Sequence, residues 1–234
     1  MVVRVCEVLN ASQNKNARSA YLRVLSRPTE QEVAQKVICL LLWLETSMGI
    51  DVLNNVAAMA PGDTTLTQVV MEAEAVYSYL LYVHPTLSQL LQVIPTIVAL
   101  SGGGRLVDFR FFKFHRGVAA RGVIVIEDTV AALVFDDNLH AMLRRFPNPV
   151  PAPELMAPFV ALKRTPSMDS RTVFFAFPGC HPLSSEDIKN YFERRPVFGR
   201  CIEHIAMEQP LPGQTAKHGV IVFRTTKPRA TPRI

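Results

Sequence analysis

Aromatic rings interleaved with positive charge are the first chemistry this chain offers. Phe109-Arg110-Phe111-Phe112-Lys113-Phe114-His115-Arg116 alternates phenylalanines with basic side chains. That composition suits bases stacked on rings, with phosphates held by Arg and Lys, and the same density of phenylalanine equally suits a buried core. Cys180-His181 and Cys201-x-x-His204 carry the atom types of a zinc site, but their spacing fits no finger or ribbon pattern. Ser101-Gly102-Gly103-Gly104-Arg105 lacks the Gly-Lys-Ser/Thr ending of a phosphate loop and reads as a flexible connection. The acidic pairs Glu127-Asp128 and Asp136-Asp137 read as solvated surface. No Gly-x-Ser-x-Gly, His-Glu-x-x-His or kinase set occurs, so the expectation is a protein that is not an enzyme and uses no cofactor or metal.

The charge is unevenly placed. Residues 1–160 hold 13 Lys and Arg against 14 Asp and Glu, while residues 161–234 hold 12 against 6. The net charge of +5 therefore comes from the last third, which points to polyanion binding there or to a solvated basic surface. A hydrophobic fraction of 49% across 234 residues argues against wholesale disorder and allows one large domain or two small ones. No run of eighteen apolar residues occurs, so no membrane span is expected. Arg4 and Glu7 interrupt the apolar start, which argues against a secretory signal. Four scattered cysteines suit reduced thiols, hence an intracellular protein, nuclear or cytoplasmic.

The elements that must position these side chains fall into an α+β arrangement. Residues 1–146 read as a mostly helical domain. Thr29-Glu30-Gln31-Glu32 fits a capping box. Behind it, Val33, Val37, Leu40, Leu41, Leu44 and Met48 recur at helical steps, and Gly49 is a stop. Leu66 to Val83 carries a second stripe, and Leu87 to Leu100 reads as a third helix bent at Pro95. Leu106 to His115 and Gly122 to Glu127 are rich in aromatic and β-branched residues and read as a short strand pair, with helical spacing returning from Asp128 to Phe146. Six prolines between Pro147 and Pro166 mark residues 147–166 as an extended linker.

Residues 167–234 form the second unit. Thr172 to Phe177 reads as a strand, Ser184 and Asp187 as a capping box ahead of a helix with Ile188, Tyr191 and Phe192 on its apolar face. Cys201 to Glu208 and His218 to Thr225 read as two further strands. Strand alternation places Val173, Phe175, Ile221 and Phe223 in the core. The order strand, helix, strand, strand resembles the first two-thirds of an RNA recognition motif (RRM), a βαββαβ, ferredoxin-like plait. Val173-Phe174-Phe175-Ala176-Phe177-Pro178 is similar to that family's first-strand motif, and Ser184 to Phe192 is similar to its first helix. Ala216 to Phe223 is similar to its third-strand motif, with Gly219 and Phe223 in place.

The resemblance implies binding of single-stranded RNA on the sheet, with Phe174 stacked on a base. His218 and Val220 stand where stacking rings are usual, which implies weak binding. Lys217, Arg171, Arg200 and Arg224 would meet phosphates. Thr226 to Ile234 are too few for the family's last helix and strand, so the unit reads as truncated after its third strand. The alternative is a protein-interaction scaffold whose degenerate RRM-like unit contacts protein and binds no RNA, with a protein partner or a homodimer formed through the helical domain.

Overall fold

The computed structural model describes residues 2–82, 94–102, 107–146, 152–160, 171–177, 183–195 and 201–224. Its architecture is α+β: a helical N-terminal part and a small antiparallel sheet. The helical part starts with α1 (Val5–Asn10), α2 (Ser12–Leu25), α3 (Gln31–Met48), α4 (Val52–Ala58) and α5 (Thr64–Leu81). Helix α3 is the centre of this layer. An unbroken run from Val37 to Leu44 is buried on it, which is the signature of a helix enclosed on every side. Helices α2 and α5 pack on its flanks, and Gly49 ends it at φ 67°, the left-handed cap that glycine adopts without strain. The start differs from the expected capping box. Glu30 is the cap residue and makes no side-chain cap bond, while Glu32 instead pairs with Lys36 one turn on, at 2.6 Å.

Helix α6 (Pro95–Leu100) begins at the proline expected to bend a longer helix. Proline at the first position lacks only an N–H that would be unpaired there anyway. Residues 87–93 of the expected third helix lie outside the described residues. The free amides of Thr96 and Ile97 are taken by the Glu72 carboxylate of α5, at 2.9–3.1 Å.

The expected strand pair at 106–127 is instead two helices, α7 (Phe109–Phe114) and α8 (Arg116–Ile126). The physical reason lies in the burial pattern. Phe111, Phe112, His115, Ala119 and Val123 are buried, a helical repeat hidden beneath the β-rich composition. Asp108 fixes the start, its Oδ1 accepting the Phe111 N–H at 2.9 Å. A π-helical turn (Glu127–Ala131) follows, then α9 (Ala132–Phe135) and α10 (Asp137–Arg145).

The proline-rich segment is also more than a spacer. Residues 152–160 are docked, with Pro153 opening the short α11 (Pro153–Met156). Ala152 and Leu155 are buried against Val5, Cys6 and Leu9 of α1. The Val5 N–H donates to the Ala157 carbonyl at 3.0 Å and the Phe159 N–H to Val3 at 2.8 Å.

The sheet holds β1 (Thr172–Ala176), β2 (Ile202–Met207) and β3 (His218–Phe223) in the order β1-β3-β2, both pairs antiparallel. Helix α12 (Ser185–Glu193) covers one face, and its capping box joins the Ser184 hydroxyl to the Asp187 N–H and the Ser184 N–H to the Asp187 carboxylate, each at 3.1 Å. Ile188 and Phe192 pack there with Phe175, Phe177, Ile202, Ile221 and Phe223. Val173 departs from expectation: it shares that face but is 45% exposed. Gly219 is required by its neighbour, since a Cβ there would stand 2.2 Å from Cζ of Phe175, whose ring lies across it.

Candidate functional site

The other face of the sheet carries Phe174, Val220 and His218, and the helical layer covers it. Register places Phe174 opposite Val220 and Ala176 opposite His218 on adjacent strands. The Phe174 ring is held by three aromatic side chains. Its centroid is 6.4 Å from Trp43 of α3, 5.7 Å from Phe111 of α7 and 4.6 Å from His115 between α7 and α8, all edge-on. Edge-to-face contacts of this kind set the positive rim of one ring on the electron-rich face of another. His218 is wholly buried, 5.9 Å from Phe111 and 6.4 Å from His115.

A polar cluster closes one end of this seam. Asp108, the α7 cap, receives His218 Nε2 at 2.9 Å on Oδ1 and Lys217 Nζ at 2.7 Å on Oδ2. Nε2 must donate, because an ionised carboxylate only accepts. Burial alone would raise the Asp108 pKa, but the bonds from His218, Lys217 and the Phe111 amide outweigh it and hold the carboxyl below its usual range. Beside it, Arg110 grips Glu208 with two parallel bonds of 2.8 and 2.9 Å and reaches the Thr215 carbonyl at 3.0 Å. The Lys217 and His218 amides also donate to Glu208, at 3.0 and 3.3 Å. Burial raises Glu208 as well, and Arg110 with the Lys217 amide brings it net down. Cations and carboxylates thus satisfy one another across the two layers.

At this seam two buried imidazole nitrogens have no partner among the described residues, Nε2 of His115 and Nδ1 of His218; Nε2 of His140, in α10, is a third. Burial first and the neighbouring His218 second push His115 down to about 4, against a smaller upward pull from Glu208.

The expected site residues are therefore only partly brought together. Phe174, Val220, His218 and Lys217 meet at the seam with the helical layer. Arg171 lies at the start of β1, where it bonds the Phe223 carbonyl at 2.8 Å and pairs with Glu203. Arg224 is exposed past β3, with its Nε on the Ile202 carbonyl at 3.1 Å. Arg200, Cys180 and His181 lie outside the described residues. Among the described residues no three His, Cys, Asp or Glu side chains converge as a metal ion requires, and no helix is long and apolar enough to cross a membrane. Sequence reasoning missed Asp108, Glu208 and Trp43. Asp108 was findable as a side-chain cap three residues before Phe111; nothing in the sequence singles out Trp43 or Glu208.

Compared with protein-family models, curated proteins and solved structures, this chain matches none of them.

Proposed function

We propose that this chain is a non-catalytic protein-interaction scaffold whose RRM-like unit contacts protein, beginning with its own helical layer. One observation carries this reading: the Phe174 ring, placed to stack on a base, is half-buried and packs against Trp43, Phe111 and His115. A base would have to displace that aromatic packing, which is worth about 0.5–1.5 kcal/mol per ring pair beyond area burial. The free thiols at Cys6, Cys39 and Cys201 support an intracellular setting.

Single-stranded RNA is the second reading, and the strand order β1-β3-β2 with α12 on the opposite face supports it. It requires the sheet to leave the helical layer. Fluorescence anisotropy of the full chain against labelled poly-pyrimidine and mixed single-stranded RNA separates the two, with Phe174→Ala and a salt titration included. On the scaffold reading, any RNA affinity fades with salt and is the same in the variant. A several-fold loss of affinity in Phe174→Ala at moderate salt, measured below the variant's own melting transition so that it is still folded, would establish RNA binding instead.

A further inference from the structure

The sheet unit and the helical layer each have a core of their own. Among the described residues, nothing upstream of Phe175 belongs to the cluster formed by α12 and the sheet. Phe174 is the one apolar side chain of the sheet that packs on the helical core. The layers are joined by that ring, by the His115 and His218 imidazoles set against Phe111, and by the ion pairs Arg110–Glu208 and Lys217–Asp108. Separating them breaks these contacts and dismantles neither core.

His115 stands in the middle of the seam and is badly placed to carry a charge. It is 3% exposed, and its Nε2 has no partner among the described residues. Rings surround it: Phe111 and Phe114 from α7, Phe174 from β1 and His218 from β3. The charged groups on the neighbouring elements are engaged elsewhere. Arg110 and Glu208 hold each other, while Asp108 takes Lys217 and His218. Arg116 of α8 bonds the Tyr79 carbonyl of α5 at 3.1 Å and lies over that ring, and Lys113 is exposed. Arg121 of α8 lines a cavity beside Trp43, and Arg171 of β1 bonds the Phe223 carbonyl. In the imidazolium Nε2 carries a hydrogen whatever the neutral tautomer, and no acceptor meets it among the described residues. A buried charge lacking its hydrogen bond is costly, whereas water serves it at once when the layers part.

We propose that the seam is an acid-released latch: a proton on His115 frees the sheet unit from the helical layer with both cores intact, baring the face that carries Phe174, Val220 and His218. Released, His115 titrates near the ordinary 6.5; docked, it does so at about 4. The open form therefore binds the proton better, so docking is at full strength above pH 6.5 and weakens as pH falls toward 4. At pH 5 these two values shift the docked-to-open ratio by roughly 30-fold. Asp108 and Glu208 are both held below their ordinary values and stay ionised over that range, so loss of the ion pairs does not account for the opening. The latch rests on the contact that the scaffold reading assigns to the sheet and adds its regulation.

Trp43 is the chain's single tryptophan and lies edge-on to Phe174, so its emission follows the seam, while far-UV ellipticity follows the helices. Urea titrations of the full chain by both signals should share one midpoint at pH 7 and separate at pH 5, Trp43 reddening first. Between the two midpoints, slow amide exchange in α3 and β3 should persist. His115→Leu should bring the midpoints together again at pH 5, and His115→Gln, equally unable to take the proton, serves where leucine disturbs folding. Coincident midpoints in the natural chain at pH 5 overturn the latch, since acid then unfolds the molecule as one. So does a separation of equal size at both pH values, one that persists in a His115 variant, or one in which β3 loses its slow exchange. RNA binding that depends on Phe174 at pH 7 would overturn the scaffold reading instead, and these titrations contain no RNA.

Discussion

His115 carries its imidazole into an aromatic enclosure, 4.7 Å from Phe111 and 4.6 Å from both Phe114 and Phe174. Charging it there means placing a cation beside His218, with only a smaller pull from the Glu208 carboxylate, which is already committed to Arg110. An unfolded histidine takes its proton near pH 6.5, whereas this one holds off until about pH 4. The unfolded chain therefore binds more protons between those values, and stability falls as pH drops through that window, by roughly 3 kcal/mol in all. Urea unfolding at pH 7 and pH 4.5 should show this as a lower midpoint at the acid end, and His115→Leu should flatten much of the difference. Asp108 acts at lower pH, since its depressed pKa lends stability that is lost only as its carboxyl protonates, below the ordinary range. At the same scale, Phe174→Ala deletes a half-buried ring from the seam. We expect it to cost about 2–4 kcal/mol, read as a fall in Tm.

Elements show what local patterning reveals and what it conceals. The stripe on α3, its glycine stop, the Ser184–Asp187 box and the strands of the sheet unit were legible within a residue or two, because burial on one face and a cap are local signals. Helices α7 and α8 were not. Their residues favour strands taken singly, and only packing on α3 selects the helix. Gly122 displays that choice: a Cβ would stand 2.1 Å from Nε1 of the buried Trp43, so α8 can lie this close to α3 only with glycine there. Gly122→Ala should destabilise the protein by about 1–3 kcal/mol in thermal or urea melts, because the Trp43 ring would have to shift out of its packing against Phe111 and Phe112 to make room. The seam itself was half legible. Phe174, His218 and Lys217 stood out as a surface for RNA, while the groups that close over them come from residues about a hundred positions upstream, a pairing no local pattern encodes. Glu72 is a similar long-range device. Glu72→Ala leaves the Thr96 and Ile97 amides without their acceptor and should cost about 1–3 kcal/mol, with faster hydrogen exchange at those two amides marking the site.

At the scale of the whole molecule, the sheet unit is held to the helical layer by two charged clamps set beside an aromatic seam. The clamps join α7 to the strand ends through Arg110–Glu208 and Lys217–Asp108. Removing one partner strands the other, so Arg110→Ala should loosen the sheet, raising hydrogen exchange across β3 while α2 and α3 stay protected. The reversed pair, Arg110→Glu with Glu208→Arg, should recover part of the loss, and a double-mutant cycle would measure the coupling. The strap at Ala152–Phe159 has a consequence in time. Arg4 meets Met156 across 152 positions of chain. A ribosome adding about 5–20 residues per second releases α1 roughly 8–30 s before the segment that covers it. Through that interval Val5, Cys6 and Leu9 wait uncovered. Helix α1 is thus made long before the segment that closes over it, so each new chain passes through a stage in which these three apolar side chains are open to whatever they meet.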